Sequence, residues 1–210
     1  MMKYLLFALF WITWCIVHSG MISVTTTNYL KRRFESNFHF YRLFFNLVSI
    51  ATLIPVILYG QSIKSPVIFR LEGFMILLQV LLLITTALLF FAGARHYDML
   101  RFLGLRQIRT GTSPGALTTT GNLDTTGILG ITRHPWYLAA IMLIWTAHSS
   151  LDVHTLIMNV ILTIYLIVGA IIEERKLIME YGEDYRRYQE NVSRLIPFKH
   201  LKSIVNGVNR

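Results

Sequence analysis

Two pairs of ionisable residues lie at the borders of apolar runs in the second half of the chain. Arg133 and His134 come directly before one run, and Glu173 and Glu174 come at the end of the next. If the two runs are antiparallel helices in a membrane, both pairs lie at the same face of the bilayer. We therefore expect the imidazole of His134 and the carboxylate of Glu173 to be close neighbours. Such a group of charges could hold a small charged molecule against one dissolved in lipid.

The string around the first pair has two interpretations, and the sequence leaves both open. It consists of Arg133, His134, Pro135, Trp136 and Tyr137. In one interpretation it is an interfacial belt, with arginine on lipid phosphates, aromatic rings at headgroup depth and proline at the first helical position. In the other it lines a binding site, which requires His134 and Tyr137 to share one helix face. Their i, i+3 spacing allows this.

The carboxylates of Glu173 and Glu174 stand at an unfavourable place, because the carboxyl end of a helix already carries partial negative charge. Arg175 and Lys176 follow directly and could offset them. Alternatively, one carboxylate faces the helix bundle and balances a cation in a partly desolvated pocket. Ionisable groups at the edge of an apolar region are candidates for function.

The composition indicates a membrane protein. Hydrophobic residues make up 54% of the 210 positions and charged residues 15%, a balance that is wrong for a soluble domain. We predict an all-α fold, an integral membrane bundle of five transmembrane helices with a cytosolic amphipathic C-terminal helix, because a span needs about 20 apolar residues. The predicted spans are residues 4–24, 43–59, 71–94, 135–149 and 153–172, the last two joined as a tight hairpin. The first is interpreted as a retained helix and not a cleaved signal peptide.

The distribution of positive charge predicts the orientation of this bundle. Five spans place the amino end and the second and fourth loops on one side. That side carries Lys3, Lys64 and Arg70, and the other 17 of the 20 Lys and Arg residues lie opposite. The positive-inside rule then puts the N-terminus outside and the C-terminus in the cytosol, most simply of a prokaryotic plasma membrane. The net charge of +9 thus indicates membrane lipids as partners and not nucleic acid.

Two further segments carry patterns of their own. Residues 97–105 read as a helix leaving the membrane. Residues 110–127 contain seven Thr and four Gly, a flexible stretch that could order over a ligand or serve as a mobile linker. Near the C-terminus, Tyr181, Tyr185 and Tyr188 recur at helical spacing and predict an amphipathic helix on the membrane surface.

In this order, these elements resemble the isoprenylcysteine carboxyl methyltransferase family and its relatives, which include phospholipid methyltransferases, NnrU-like proteins and methanethiol S-methyltransferases. The matching pattern is R-H-P-x-Y from Arg133, the glutamate pair, Y-G-E-x-Y-x-x-Y from Tyr181 and R-x-x-P from Arg194. Looser similarity at residues 41–47 and 104–107 indicates the methanethiol methyltransferase and NnrU branch. Roughly the last third of the chain carries the resemblance.

The resemblance implies an enzyme that uses S-adenosylmethionine, bound between the last two spans and the tail. The residues that it assigns to the cofactor are His134, Pro135, Trp136, Tyr137 and Glu173, with backbone and apolar contacts from Asn122, Leu123, Asp124 and Leu129. The candidate catalytic residues are Arg133 and Glu174, and the proton of a thiol acceptor would pass to Glu174 or His134. No metal is implied.

The same resemblance divides the chain into regions. Residues 1–94 hold the first three transmembrane helices, and residues 95–133 form a cytosolic loop over the cofactor site. Residues 134–198 form the methyltransferase core, made of the helical hairpin and the amphipathic helix, and residues 199–210 are a basic tail.

The methyl acceptor is the least determined part of this hypothesis. Isoprenylcysteine enzymes have an arginine one helical turn before the glutamate pair, whereas this chain has Gly169, which speaks against a prenylated cysteine. A small apolar thiol, a lipid headgroup and a modified cysteine stay open, in that order of preference. The rival classes are a non-catalytic NnrU-like accessory protein and a transporter or redox protein with His ligands. The sequence does not indicate the oligomeric state.

Overall fold

The computed structural model describes residues 1–111 and 123–208, and most of them are helical, as predicted. The α-helices are α1 (Met2–Ile22), α2 (Val24–Phe34), α3 (Tyr41–Ser62), α4 (Phe74–Ala94), α5 (Met99–Leu103), α6 (Leu105–Thr110), α7 (Pro135–Thr146), α8 (Val153–Tyr181), α9 (Glu183–Asn191) and α10 (Phe198–Val208). Short 3-10 helices cover Glu35–Phe40 and Gly127–Gly130. The strands β1 (Val67–Arg70) and β2 (Ser150–Asp152) pair in a small sheet that the all-α prediction did not include.

The long helices make the chain a multi-pass membrane protein. Within the described residues, four helical segments are long and apolar enough to cross a bilayer: Met2–Ile22, Asn37–Ser62, Phe74–Ala94 and Val153–Tyr181. They lie at the first, second, third and fifth predicted spans. The fourth corresponds to α7, which has only 12 residues and is about 18 Å long, short of the roughly 30 Å hydrocarbon core. The five-span count and the orientation therefore stay predictions.

The helix α8 is longer than the predicted fifth span. It continues past Glu173 and Glu174 to Tyr181, so these two residues lie inside the helix and not at its last turn. Gly182, with φ of 56°, then separates α8 from α9, a conformation that glycine adopts without a Cβ penalty. The predicted amphipathic segment is therefore two helices.

The chain divides into two compact units. The first comprises Met1–Ile68, Tyr97–Thr119 and Leu151–Ile161, and the second Phe69–His96, Thr120–Ser150 and Leu162–Arg210. In the first unit, the indole of Trp14 in α1 donates to the Ser49 carbonyl in α3 at 3.2 Å. The predicted helix at 97–105 ends at Gly104, where a Cβ would lie 2.6 Å from the backbone nitrogen of Leu43.

In the second unit, α4 and α7 pack closely at both ends. Near the start of α7, the indole nitrogen of Trp136 donates to the Phe90 carbonyl at 3.0 Å. Near its end, the side chain of Gln79 donates to the Thr146 carbonyl at 2.8 Å. Buried polar groups that are hydrogen-bonded in this way fix the register of two otherwise apolar helices. The beginning of α7 is therefore held at a fixed depth along α4.

We expect Gly93→Ala to destabilise this contact by about 1–3 kcal/mol, the usual cost of overpacking. A Cβ at Gly93 would lie 2.5 Å from the Trp136 indole nitrogen, so the ring must move and lose its hydrogen bond to α4. Thermal unfolding in detergent micelles measures the effect. The matched control is Gly20→Ala in α1, where a Cβ meets nothing within 4 Å. Equal melting temperatures for the two variants would contradict the packing argument.

Candidate functional site

The site is built where a late segment of the chain pairs with the residues before α7. Thr132 and Ser193 form an isolated parallel β-bridge. The backbone nitrogen of Arg133 donates to the Ser193 carbonyl at 3.0 Å, and that of His134 to the Arg194 carbonyl at 3.1 Å. This backbone pairing brings the side chain of Arg194 to the same place as the Arg-His pair.

The carboxylate of Glu174 in α8 is the centre of the resulting cluster. Its Oε1 accepts from Nε and Nη2 of Arg133 at 2.8 and 2.6 Å and lies 3.3 Å from Nε2 of His134. Its Oε2 accepts from Gln189 at 3.1 Å and from Nε of Arg194 at 2.9 Å, with Nη2 of Arg194 at 2.8 Å. The residue is only 2% exposed. Both oxygens therefore bond to charged or polar donors away from water.

These donors use the full hydrogen-bonding capacity of Glu174. A carboxylate offers about four lone-pair directions, and six donor atoms point at it. Arg133 uses four of its five N–H groups, since its Nη1 also donates to the backbone carbonyls of Gln189 and Val192. The charges of Arg133, Arg194, Glu173 and Glu174 cancel. Glu174 and Arg133 are therefore suited to hold the cluster together, and Glu174 has no bonding capacity left for a ligand.

Glu173 is differently placed, although it is the adjacent residue. Its side chain is 35% exposed, and its Oε2 lies 3.9 Å from Nδ1 of His134, as the sequence led us to expect. The ionised carboxylate of Glu174 only accepts hydrogen bonds, so Nε2 of His134 must donate to it, and in the neutral imidazole the lone pair lies on Nδ1, facing Glu173. In that form of His134, two hydrogen-bond acceptors face each other across a short gap. A cationic N–H donor placed between them would satisfy both.

The aromatic residues of the string split between two directions. Tyr137 lies with its ring edge-on to His134, at 5.3 Å between centroids and 83°, so these two share a face as predicted. It also covers Gly169, where a Cβ would lie 3.2 Å from its ring, so a larger residue at 169 requires the Tyr137 ring to shift. Pro135 and Trp136 instead face α4, against Gly93.

The segment before α7 contains the remaining residues that the resemblance assigns to the cofactor. Leu123 packs on a buried cluster of Tyr185, Tyr188 and Val192. The backbone carbonyl of Leu129 accepts from the Tyr188 hydroxyl at 2.5 Å, which ties the segment to α9. Asn122 lies outside the described residues.

Asp124 is the last residue that the resemblance assigns to the cofactor, and its carboxylate is hydrogen-bonded within the protein. Its Oδ2 lies 2.7 Å from Nδ1 of His96, and its Oδ1 accepts from the backbone nitrogen and hydroxyl of Thr126 at 2.9 and 2.8 Å. The backbone N–H of Thr126, helped by the hydrogen bond from His96, holds the pKa of Asp124 below its usual value. The carboxylate is therefore ionised at neutral pH.

Two residues with side-chain contacts in this region were not identified from the sequence: Gln189, which donates to Glu174, and His96, which pairs with Asp124. Gln189 follows the Tyr181–Tyr188 motif directly, and its place one residue after Tyr188 was the only available signal. His96 comes just after an apolar run, and nothing in the sequence connects it with Asp124. Tyr185 of the motif is buried; this burial, together with the nearby charge of Glu174, raises the pKa of its phenol. Tyr185 is therefore no base at neutral pH.

The fold and the site together define a multi-pass membrane protein with a buried ion-pair cluster at the start of a short helix. The family model described as "NnrU protein" matches residues 6–208, and the chain belongs to this family. No solved structure matches it.

Curated relatives with similar sequences are methanethiol S-methyltransferases. The protein from Bradyrhizobium diazoefficiens is 36% identical over 104 residues, which is 50% of this chain and 35% of that protein. The protein from Pseudomonas deceptionensis is 33% identical over 102 residues, 49% of this chain and 37% of its own length. The protein from Crocosphaera subtropica is 30% identical over 124 residues, which is 59% of this chain and 45% of that protein. The matched segments thus span less than half the length of each of these relatives.

Proposed function

We propose that the protein is an integral membrane methyltransferase that uses S-adenosylmethionine and acts on a small apolar thiol. The relatives named methanethiol S-methyltransferase support the reaction class. The observation that carries the proposal is the gap between His134 Nδ1 and Glu173 Oε2, two acceptors 3.9 Å apart. We propose that this gap lies at the cytosolic end of the spans, where the cofactor is available.

The described residues fit this cofactor. S-adenosylmethionine carries a sulfonium and an ammonium group against one carboxylate, so its net charge is positive. The ammonium is an N–H donor of the kind that His134 and Glu173 lack, and the partly exposed Glu173 supplies a negative charge. Tyr137 and the segment of Leu123, Asp124 and Leu129 would contribute further contacts, and Asn122 precedes them. Trp136 and Pro135 would not contact the cofactor directly; they would stabilise the site by packing the start of α7 against α4.

Arg133 and Glu174 take a positioning role in this proposal. Because their donors and acceptors are used by each other and by the C-terminal segment, neither is free to exchange a proton with a substrate. Their contribution is to fix the ring orientation of His134, through the hydrogen bond between its Nε2 and Glu174. A preorganised side chain loses little freedom when the ligand binds.

The bound cofactor would supply an activated methyl group together with its leaving group. The protein then has to align the acceptor in line with the methyl carbon and to exclude water, and such positioning can lower a barrier by several kcal/mol. An apolar acceptor would reach the site from the lipid. The lack of an arginine at Gly169 and the contact between Gly169 and Tyr137 favour a small acceptor over a prenylated one.

The test is incubation of purified protein with radiolabelled S-adenosylmethionine and a panel of acceptors, followed by separation of volatile, lipid and protein fractions. We expect label in the volatile fraction with methanethiol or ethanethiol. Label in the lipid or protein fraction would instead indicate a phospholipid or cysteine acceptor. Transfer to none of these acceptors would contradict the proposed methyltransferase activity and would favour a non-catalytic NnrU-like accessory protein. At a cofactor concentration below the wild-type Kd, the identically prepared Glu173→Ala variant should transfer far less label, and equal transfer by both proteins would indicate a contaminating methyltransferase.

A further inference from the structure

The pair of His96 and Asp124 lies in the second unit but takes no part in the cluster around Glu174. His96 follows α4, and its Nδ1 lies 2.7 Å from Oδ2 of Asp124. The two side chains are 17% and 35% exposed, so they are partly shielded but reachable. None of the roles proposed above uses the imidazole of His96.

The hydrogen bonds of Asp124 determine which nitrogen of His96 carries the proton. Thr126 fixes one carboxylate oxygen with two hydrogen bonds, and the other oxygen faces Nδ1. An ionised carboxylate only accepts hydrogen bonds, so Nδ1 must donate. In the neutral imidazole the lone pair therefore lies on Nε2. This is the arrangement by which a carboxylate orients a histidine that acts as a general base.

The structure also keeps the space beside Nε2 free of a side chain at position 127. A Cβ on Gly127 would lie 3.1 Å from Nε2 and 3.4 Å from Cε1 of His96. Gly127 has a φ of 54°, a conformation that favours glycine. Glycine at 127 thus avoids a tight side-chain contact with Nε2.

His96 is connected to the proposed cofactor site through two short paths. Its backbone nitrogen donates to the carbonyl of Gly93 at 3.0 Å, the residue on which Trp136 packs. Gly127 begins the 3-10 helix that contains Leu129 and leads into Arg133. The imidazole thus borders the segment that the resemblance assigns to the cofactor.

We propose that His96, oriented by Asp124, is the general base that deprotonates the thiol acceptor; this inference rests on the proposed function. The S–H proton passes to Nε2, and the thiol sulfur forms a bond to the methyl carbon of the sulfonium donor. The bond from that carbon to the donor sulfur breaks, and its electron pair stays on the donor, which becomes a neutral thioether. The proton on His96 is later released to water.

A base is needed because the thiolate is the nucleophile, and an alkanethiol is mostly protonated at neutral pH. Glu174 has no lone pair free, and Tyr185 stays protonated. A positioned base contributes about 10²- to 10⁴-fold to such a step. The remaining rival is His134, which the test has to distinguish.

The first test compares two acceptors in the wild type and in His96→Gln. With an alkanethiol we expect kcat to fall about 100-fold. With an aryl thiol that is already ionised at the assay pH, we expect it to stay nearly unchanged. Asp124→Asn should show the same selectivity with a smaller loss, and the exposed His148→Gln should show no loss on either acceptor. Calorimetry should give the same affinity of His96→Gln and wild type for S-adenosylhomocysteine.

The second test needs no turnover. Nitrogen-15 NMR of histidine-labelled, cofactor-free protein should show His96 protonated at Nδ1, assigned by loss of the signal in His96→Gln, and Asp124→Asn should remove this preference. Protonation at Nε2 would overturn the proposal, as would an equal loss of kcat on both thiols or no loss on either. A wild type without activity on any thiol would instead refute the proposed function itself, whatever the tautomer.

Discussion

Replacing Glu174 by glutamine is expected to lower methyl transfer about 100-fold and to destabilise the protein by about 3–5 kcal/mol. The change keeps the size of the side chain but removes the charge that balances Arg133 and Arg194. Removing one partner of a buried pair leaves the other charge without compensation, and that is costly. The amide oxygen that remains is an uncharged, weaker acceptor, so the orientation of the His134 imidazole is less firmly fixed. Thermal unfolding in detergent and initial rates on a small thiol measure the two effects.

The matched control for this variant is Glu180→Gln, an exposed glutamate in the same helix. It should melt and react like the wild type. If Glu174→Gln kept wild-type stability, the six donors around this carboxylate would not be acting as a structural cluster. If it kept wild-type activity while losing stability, Glu174 would have no part in positioning His134.

The second large effect is expected for His134→Ala, which should weaken binding of S-adenosylhomocysteine about 10- to 100-fold while the helices stay folded. The reason is the loss of one of the two acceptors offered to the ligand ammonium, and a hydrogen bond to a charged group contributes about 1.5–3 kcal/mol. Glu173→Ala removes the other acceptor and should weaken binding similarly. Isothermal titration calorimetry gives the affinities, and circular dichroism reports the helix content.

His148→Ala is the control for this pair, because His148 is exposed and follows the opposite end of α7. Its affinity should equal that of the wild type. Near-unchanged affinity in both His134→Ala and Glu173→Ala would remove the basis for placing the cofactor between them. A loss of helix content in His134→Ala would show that the imidazole is needed for folding, and Glu173→Ala would then decide the question of binding.

The sequence was sufficient to predict that the Arg-His pair and the glutamate pair lie close together, because this proximity follows from two general rules. Long apolar runs must cross the membrane, and two runs joined by a short connection must be antiparallel. Arg133, His134 and the glutamate pair therefore had to meet, and in the structure His134 lies 3.9 Å from Glu173 and 3.3 Å from Glu174.

Other features depended on geometry that the sequence does not carry. Adjacent residues on a helix point about 100° apart, so the sequence could not show that Glu174 faces the cluster while Glu173 stays half-exposed. The length of α7 was overestimated because an apolar run does not show where hydrogen bonding of a helix stops. The contacts of Gln189 with Glu174 and of His96 with Asp124 join residues with no shared sequence pattern, so the sequence does not predict them.

The pairing of residues 132–134 with 192–194 has a consequence for biosynthesis. The ribosome delivers Arg133 and then Glu174 to the membrane before Gln189, Val192 and Arg194 exist. A nascent chain that stops after α8 already contains every long apolar helix described. In it, the carboxylate of Glu174 has only Arg133 and His134 as partners among the residues of the cluster. We therefore expect cleavage by a protease, or insertion of a tag, near residue 194 to disable the protein without removing it from the bilayer.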